Sequence, residues 1–259
     1  MNILTIDTSA EFVSVALSTD GKIYFLEKES KASHLELLFD IIEQVFLPSG
    51  IEREALNAVG VMRGPGSWTG LRIGYSAAKA LCFALNANLV CVPALDCAAL
   101  PCAGFEGPVI SAFDAKQQRF FCAVFSAGKR QTGVLDVTAQ QIAALFTDSA
   151  QLSAFSKILL TGNGAALLAE KLTALMPDKT LILDQNFRQG RAGEMLNFIG
   201  QNPELLNETD SGLLYIRASE AEQTAAQKGV RLCRNAPDIC GTGLAPCDFG
   251  TGFAPLKKV

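Results

Sequence analysis

Apolar and polar residues alternate in three runs over the first thirty positions. Asn2–Asp7 and Phe12–Ser18 are separated by the polar stretch TSAE, and a third run, GKIYFLEKE, follows Asp20. A period of two is the pattern of half-buried strands, and Asp-Gly between two such runs is a strong hairpin signal. The pattern therefore predicts three consecutive antiparallel strands.

The apolar period changes to that of a helix at Ser33–Phe46. Ser33 and Glu36 have the spacing of a capping box. One apolar stripe contains Leu35, Leu38, Phe39, Ile42 and Phe46. Leu37 and Ile41 are also apolar but fall on a different face. This excess indicates a helix that is either deeply buried or shared between a core and a partner.

The remaining pattern predicts two similar halves. A strand at Asn57–Met62 leads into a glycine-rich loop and a helix to about Leu85, and a further strand follows at Asn88–Pro93. From Gly107 the same kinds of element recur in roughly the same order. Strands mixed with helices in two similar halves indicate an α/β duplication. We predict a first lobe at 1–104, a second lobe at 105–222, and a tail at 223–259 that either packs on the first lobe or is disordered.

Composition narrows the classes of function. Apolar residues make up 49% and charged residues 19% of the 259 positions, which is typical of a folded protein, and the net charge is −4. An acidic chain is a poor nucleic-acid ligand by itself, because that affinity comes mostly from Lys and Arg on phosphates. The sequence shows no signal peptide and no membrane span, which favours a cytoplasmic protein with no membrane contact.

Metal and cofactor chemistry has little support in the sequence. Five of the eight cysteines lie in apolar surroundings and are expected to be buried. The other three, Cys233, Cys240 and Cys247, lack a fourth zinc ligand nearby. The single histidine, His34, has Leu38 four residues later, so a His-x-x-x-His site cannot form. We predict no metal site, no cofactor and no catalytic residue, and we interpret His34 as a helix-start or interface residue.

The stretch RGPGSWTGLRIG has the glycines of a phosphate loop but not its spacing. Gly64, Gly66 and Gly70 fit neither the Walker A pattern, which needs a lysine, nor the dinucleotide pattern. What remains is a tight turn in which Ser67 or Thr69 caps the next helix.

Small residues then recur along that helix. Gly70, Gly74 and Ala78 are spaced by four, and Ala77 and Ala84 widen the small face. Glycine in a helix costs up to about 1 kcal/mol relative to alanine, so the pattern predicts close approach by another element. That element belongs either to the same domain or to another subunit, and the sequence leaves both open.

Three short stretches together favour an actin-like fold. Asp7, Thr8 and Ser9 end the first predicted strand in the manner of an ATPase phosphate hairpin, although Asp-Thr-Ser is also ordinary turn chemistry. Asp114 has the equivalent place in the second half, and Gly162 and Gly164 form a turn that could face a nucleotide. These six residues are a candidate vestigial nucleotide or phosphate site.

Motifs along most of the chain resemble those of one family. ILTIDTSAEFVSVAL, SHLELL, GPGSWTGLRIGYSAAKAL, FDAKQQRFF, TGNGA and YIRASEAE are similar, in order, to motifs of the TsaB (YeaZ) family. Trp68 stands where that family usually has Phe, and the region after Gln227 does not resemble the family. The resemblance implies an α/β, actin-like (ASKHA, ribonuclease H-like) duplicated two-lobe fold with mixed sheets flanked by helices.

The resemblance also implies a function in tRNA modification. Members of the family are non-catalytic subunits in the biosynthesis of N6-threonylcarbamoyladenosine (t6A) at position 37 of tRNAs that read ANN codons. They stabilise and activate the catalytic paralogue TsaD as a heterodimer, form homodimers when alone, and join an assembly that includes the ATPase TsaE. Contact with tRNA would then occur only through the complex.

The interface that the resemblance implies uses the two helices described above. Its predicted residues are His34, Leu35, Leu38, Ile42, Gly70, Arg72, Ile73, Gly74, Ala77, Ala78 and Leu81. On this hypothesis, Leu38→Asp or Gly74→Leu breaks pairing and leaves the monomer folded.

Three alternatives differ in class. The chain could be an independent actin-like ATPase or kinase that uses Asp7 and Asp114 with Mg-ATP, although the sequence shows no convincing adenosine pocket or base. A glycoprotein-directed metalloprotease would need a histidine pair, which is missing. Direct tRNA binding is opposed by the net charge, although basic residues near the end could contribute within a complex: Arg217, Lys228, Arg231, Arg234, Lys257 and Lys258.

Overall fold

The computed structural model describes residues 1–30, 34–185, 190–208 and 210–216. The described part of Met1–Ile216 forms one compact unit. The predicted tail at 223–259, its cysteines and basic residues, Arg217 and the cap residue Ser33 lie outside the described residues.

The first half forms a five-stranded mixed sheet in the order β3-β2-β1-β4-β5. Its strands are β1 (Ile3–Asp7), β2 (Phe12–Thr19), β3 (Lys22–Glu29), β4 (Ala58–Gly64) and β5 (Asn88–Pro93). β1, β2 and β3 pair antiparallel, as the alternation predicts, whereas β4 pairs parallel to both β1 and β5. The β2–β3 turn has positive φ at Asp20 (48°) and Gly21 (74°), which is what a two-residue hairpin turn with matching twist requires.

Four helices cover this sheet, two on each face. Their ranges are α1 (His34–Phe46), α2 (Trp68–Leu85), α3 (Ala94–Ala99) and, from late in the chain, α7 (Ala192–Gln201). Leu4 and Ile6 of β1 pack in one cluster with buried residues of α1 and α2. Ile3 and Ala16 point to the opposite face and pack in a cluster with α3 and α7. Both faces of the sheet are therefore buried, which explains why all of β1 is apolar or hydrogen-bonded.

The second half repeats the topology of the first. Its strands are β6 (Pro108–Asp114), β7 (Arg119–Ser126), β8 (Lys129–Arg130), β9 (Leu135–Thr138), β10 (Lys157–Thr161) and β11 (Thr180–Leu183). The sheet order is β11-β10-β6-β7-β8, and β9 also pairs with β7. Each sheet thus has one central strand, β1 or β6, with antiparallel strands on one side and two parallel strands on the other. This repetition confirms the predicted α/β duplication with mixed sheets flanked by helices.

Three helices complete the second half: α4 (Ala139–Asp148), α5 (Ala150–Ser153) and α6 (Ala165–Leu175). Ile142 and Phe146 of α4 and Leu168 and Leu172 of α6 are buried together against one face of the second sheet. Its other face contributes Val109, Phe113, Ala123 and Phe125 to the cluster that also contains α3 and α7. One apolar layer is therefore common to the two sheets.

The helix α7 lies in the second half of the sequence but packs on β1 and β2 of the first sheet. Ala192, Met195 and Ile199 form its buried face. Their spacing in the sequence predicts an amphipathic helix but does not indicate which sheet the helix covers. Gly60 of β4 leaves room for it, because a Cβ there would lie 2.9 Å from Ile199 Cδ1. The predicted lobe boundary between residues 104 and 105 separates the strands of the two sheets but not the helices that cover them. The division of the chain into two lobes at this point stays a prediction.

Candidate functional site

The glycine-rich stretch between β4 and α2 is held against the β1–β2 turn. The Ser67 N–H donates to the Ser9 carbonyl at 2.9 Å. The Ser67 side chain accepts the Gly70 N–H at 3.2 Å and so caps α2, as one of the two predicted cap residues. The loop therefore serves to start α2 and to fix it to the end of β1.

Contact with Thr8 explains the glycines of α2. A Cβ on Gly70 would overlap the Thr8 carbonyl oxygen, and a Cβ on Gly74 would overlap Thr8 Oγ1. Thr8 Oγ1 itself donates to the Gly70 carbonyl at 2.7 Å. Of the two explanations left open by the sequence, close packing within the same chain accounts for these glycines.

Six of the predicted interface residues are buried. Leu38 and Ala78 have no exposed surface, Ile42 is 3% and Ala77 6% exposed, and Gly70 and Gly74 lie on the inner face of α2. A buried side chain offers little surface to a partner, so the interface hypothesis no longer uses five of these residues and keeps Ala77, which also lines the groove described below. The predicted folded phenotypes of Leu38→Asp and Gly74→Leu are corrected accordingly, since both changes would disrupt internal packing.

The other predicted interface residues divide into two sets. Leu35, Arg72, Ile73 and Ala77 line a groove of about 550 Å³ between α1 and α2. His34 instead donates from Nε2 to the Ala10 carbonyl at 2.9 Å, and Leu81 packs against the core beside α1. His34 therefore anchors the start of α1 to the β1–β2 turn, in keeping with its interpretation as a helix-start residue.

The groove is apolar and open. Its further lining residues are Phe39, Trp68, Thr69, Ser76 and Ala80. Leu35 is 51% exposed and Phe39 is 48% exposed, although both are large apolar side chains. Sequence reasoning placed Phe39 on the apolar stripe of α1 but did not select it as an interface residue. The excess of apolar residues on α1 is the sequence signal that could have identified Phe39 as a surface residue.

An aromatic and cationic stack forms one end of the groove. The ring centroids of Trp68 and Tyr215 are 4.3 Å apart, and the Arg72 guanidinium carbon lies 4.2 Å from the Trp68 centroid. Among the described residues that line the groove, Arg72 is the one that carries a charge. Trp, Tyr and Arg are the residue types most enriched at the energetic centres of protein interfaces.

The candidate phosphate hairpin is closed by the chain's own donors. Asp7, Thr8 and Ser9 are each at most 2% exposed. Asp7 Oδ1 accepts the Ser9 N–H at 2.9 Å and the Ser9 hydroxyl at 2.6 Å, while Oδ2 accepts the Arg191 N–H at 2.9 Å. These bonds stabilise the turn and leave the hydroxyls of Thr8 and Ser9 directed into the protein.

The corresponding turn of the second half is also explained by internal contacts. Asp114 accepts the Lys116 N–H and the Lys116 ammonium, each at 2.8 Å. A Cβ on Gly162, whose φ is +89°, would overlap the Ala112 carbonyl oxygen, and one on Gly164 would lie 2.8 Å from Asp114 N. Asp7 bonds to Ser9 and Arg191, whereas Asp114 bonds to Lys116 and Asn163. As a nucleotide site, these six residues stay a prediction.

Sequence reasoning missed Arg191, which links the two sheets. Its side chain is 5% exposed and donates to Asp184 Oδ2 at 3.1 Å and to Thr161 Oγ1 at 3.3 Å in the second half, while its backbone N–H binds Asp7 in the first. Glu194 Oε1 lies 3.7 Å from the same guanidinium. No local pattern around Arg191 indicates this burial, because its partners are distant in sequence.

The described cysteines are structural. Cys82, Cys91, Cys97, Cys102 and Cys122 are free thiols. Burial raises the pKa of Cys102 to about 11 and that of Cys122 to about 12, so both are protonated at neutral pH. Among the described residues, no group of three or more His, Cys, Asp and Glu side chains could hold a metal ion, and no helix is long and apolar enough to cross a membrane.

Comparison with known proteins identifies the family. The model of the family described as "TsaD: tRNA N6-adenosine threonylcarbamoyltransferase" matches residues 27–210. The tRNA threonylcarbamoyladenosine biosynthesis protein TsaB of Haemophilus influenzae is 30% identical over 125 residues, which are 47% of this chain and 52% of that protein. TsaB of Bacillus subtilis is 24% identical over 225 residues, 86% of this chain and 96% of that protein. The matched region thus spans about half the length of the first relative and nearly all of the second.

Solved structures agree on the fold. A Pseudomonas aeruginosa protein described as similar to the peptidase YeaZ superposes with a TM-score of 0.67 at 22% identity, covering 83% of this chain and 99% of its own. The predicted actin-like fold is thereby confirmed. The chain belongs to the family that the threonylcarbamoyltransferase model describes, and its relatives place it with the TsaB (YeaZ) proteins of that family.

Proposed function

We propose that this chain is a non-catalytic partner of a TsaD-like threonylcarbamoyltransferase. It docks through the groove between α1 and α2 and supports formation of t6A at position 37 of tRNAs that read ANN codons. The open apolar groove with Leu35 and Phe39 at its surface carries the proposal, because a large exposed apolar patch indicates an interaction site.

The family match supports the identity of the partner. A chain that shares the fold of a TsaD enzyme can present the same two helices to its paralogue, so that related surfaces pair. By the same argument the chain forms a homodimer through this surface when TsaD is absent. A TsaE-like ATPase joins the larger assembly, and tRNA is contacted through the complex.

The closed hairpin supports a non-catalytic role. An independent ATPase or kinase would need the Asp7 carboxylate open to metal-bound water, but three donors of this chain occupy its two oxygens. Opening that site would leave buried groups without partners, at about 1–3 kcal/mol for each group.

A matched pair of surface variants tests the proposal. Phe39→Asp puts a charge into the groove and should weaken binding of the TsaD-like protein about thirtyfold or more, as expected for an interface centre. Leu167→Asp makes the same kind of change on α6, where the side chain is 40% exposed, and should have no effect on binding. Native mass spectrometry of co-expressed proteins and the t6A content of tRNA are the measurements. A heterodimer that forms equally well with Phe39→Asp would refute docking through this groove.

A further inference from the structure

The segment Asp210–Ile216 crosses the exposed side of α2 after the last helix, and we call it the strap. The Leu214 N–H donates to the Arg63 carbonyl at 2.7 Å, which ties the strap to the end of β4. Leu213 packs against the apolar layer common to the two sheets. Positive φ at Gly212 (+68°) lets the chain turn between its two points of contact with α2.

The first contact is an ionic clasp on the middle of α2. The Tyr75 hydroxyl donates a hydrogen bond to the Asp210 carboxylate and lies 2.6 Å from each of its oxygens. Lys79 forms an ion pair with the same carboxylate at 3.0 Å. Asp210 Oδ1 also accepts the Gly212 N–H at 2.9 Å. The clasp therefore fixes the start of the strap, about one to two turns of α2 from Arg72.

The second contact is the stack at the groove. The Tyr215 ring lies against Trp68, and its hydroxyl accepts from Arg72 Nε at 3.4 Å. The Arg72 guanidinium also lies over the Trp68 ring, so Tyr215 contacts both members of this pair. Trp68 and Arg72 both line the groove. Tyr215 itself is not among the lining residues, so it contacts the surface from the side.

We propose that the strap is a positioning element of the docking surface and that Tyr215 is its positioning residue, which holds Trp68 and Arg72 in the arrangement that the partner binds. This inference rests on the proposed function. Without the strap, both side chains would be free on an exposed helix turn, and ordering each of them on binding costs about 0.5–1.5 kcal/mol. An aromatic stack that orders them beforehand removes that cost from binding.

Three variants test the role of Tyr215 in binding of the TsaD-like protein. Tyr215→Ala should weaken the measured Kd about tenfold, which corresponds to about 1.4 kcal/mol. Tyr215→Phe keeps the ring and should bind within about threefold of the unaltered chain, because stacking rather than the long hydrogen bond carries the effect. Leu206→Ala removes a contact with the same apolar layer at a residue that precedes the strap, and it should leave the Kd unchanged. A Tyr215→Ala Kd equal to that of Leu206→Ala would overturn the inference.

A spectroscopic signal separates positioning from general stability. Trp68 is the single tryptophan of the chain, so 5-fluorotryptophan gives one ¹⁹F resonance from this site. In the isolated full chain, Tyr215→Ala should move that resonance, whereas Leu206→Ala and Tyr215→Phe should move it little. If Phe39→Asp and Trp68→Ala abolish binding while Tyr215→Ala changes neither the resonance nor the Kd, the inference fails and the proposed function stands. If Phe39→Asp and Trp68→Ala bind normally, both fail.

Discussion

The helix pair α1 and α2 and the helix pair α4 and α6 occupy the same places in two sheets of the same topology, but they differ in what they leave exposed. α4 and α6 bury Ile142, Phe146 and Leu168 against the second sheet. α1 and α2 bury a similar cluster but leave Leu35 and Phe39 at the surface, on either side of an open groove. α6 also leaves Leu167 and Leu175 40% exposed, so the difference is the groove between α1 and α2, which the proposed function assigns to a partner.

Small residues are the physical origin of this difference. Gly70 and Gly74 let α2 approach the β1–β2 turn more closely than any side chain would allow. The side of α2 that faces the groove carries Ser76, Ala77 and Ala80, whose side chains are too short to fill the space beside α1. On α6, Leu168 and Leu172 are fully buried in the core of the second half. Short side chains on α2 therefore help to leave the groove open.

The largest expected effect separates the two faces of α1. Leu38→Asp puts a charge into a fully buried position and should lower the free energy of unfolding by about 4 kcal/mol or more. Leu35→Asp makes the same change about one turn earlier in α1, at a half-exposed position, and should change the free energy of unfolding by no more than about 0.5 kcal/mol. Denaturant unfolding of both variants is the measurement. Equal losses would mean that α1 has no free face and that the comparison between the helix pairs is wrong.

A smaller effect compares the glycines of the two halves. Gly162→Ala would meet the Ala112 backbone at a positive φ and should cost about 3 kcal/mol, whereas Gly74→Ala meets only the Thr8 side chain and should cost about 1–2 kcal/mol. Thermal or denaturant unfolding gives both values.

The Thr8→Ala change serves as the control for that comparison. Combined with Gly74→Ala it should lower the combined cost below the sum of the two single costs, because it removes the atom in the way. Combined with Gly162→Ala it should be additive. Additivity in both pairs would show that Thr8 does not determine how closely α2 packs.

The smallest expected effect concerns the clasp of the strap on α2. Burial would raise the pKa of Asp210, but hydrogen bonds from Tyr75 and Lys79 outweigh it and lower that pKa below its usual value. Because the folded pKa is lower than the unfolded one, the stabilisation is complete above the unfolded pKa, about 3.9, and is lost as the pH falls through the folded pKa.

Asp210→Asn should therefore lower the Tm at neutral pH, and its difference from the unaltered chain should shrink as the pH falls below about 4. Melting curves between neutral and acidic pH measure this. Asp178→Asn is a suitable control, because that carboxylate is exposed and pairs only with the neighbouring Lys179. A Tm difference for Asp210→Asn that is constant with pH would contradict the role assigned to the charge.

The sequence by itself determined the local elements and the class of fold. Alternation in Phe12–Ser18 predicted β2, Asp20-Gly21 predicted its hairpin, and a cap at Ser67 or Thr69 predicted the start of α2; the structure contains all three, with Ser67 as the cap. These features depend on neighbours within a few residues, where backbone preference and apolar period are sufficient. Motif resemblance added the family, which the comparisons confirm.

Only the tertiary structure decided which residues are exposed and which distant groups meet. A four-residue spacing of glycines predicts close approach but cannot name its partner, which proved to be Thr8. Leu35 and Leu38 lie on one predicted stripe, yet one is half-exposed and the other fully buried. The contacts of Arg191 with Asp184 and of Trp68 with Tyr215 depend on how the chain folds back on itself. Burial is a property of packing between elements, and periodicity within one element does not contain it.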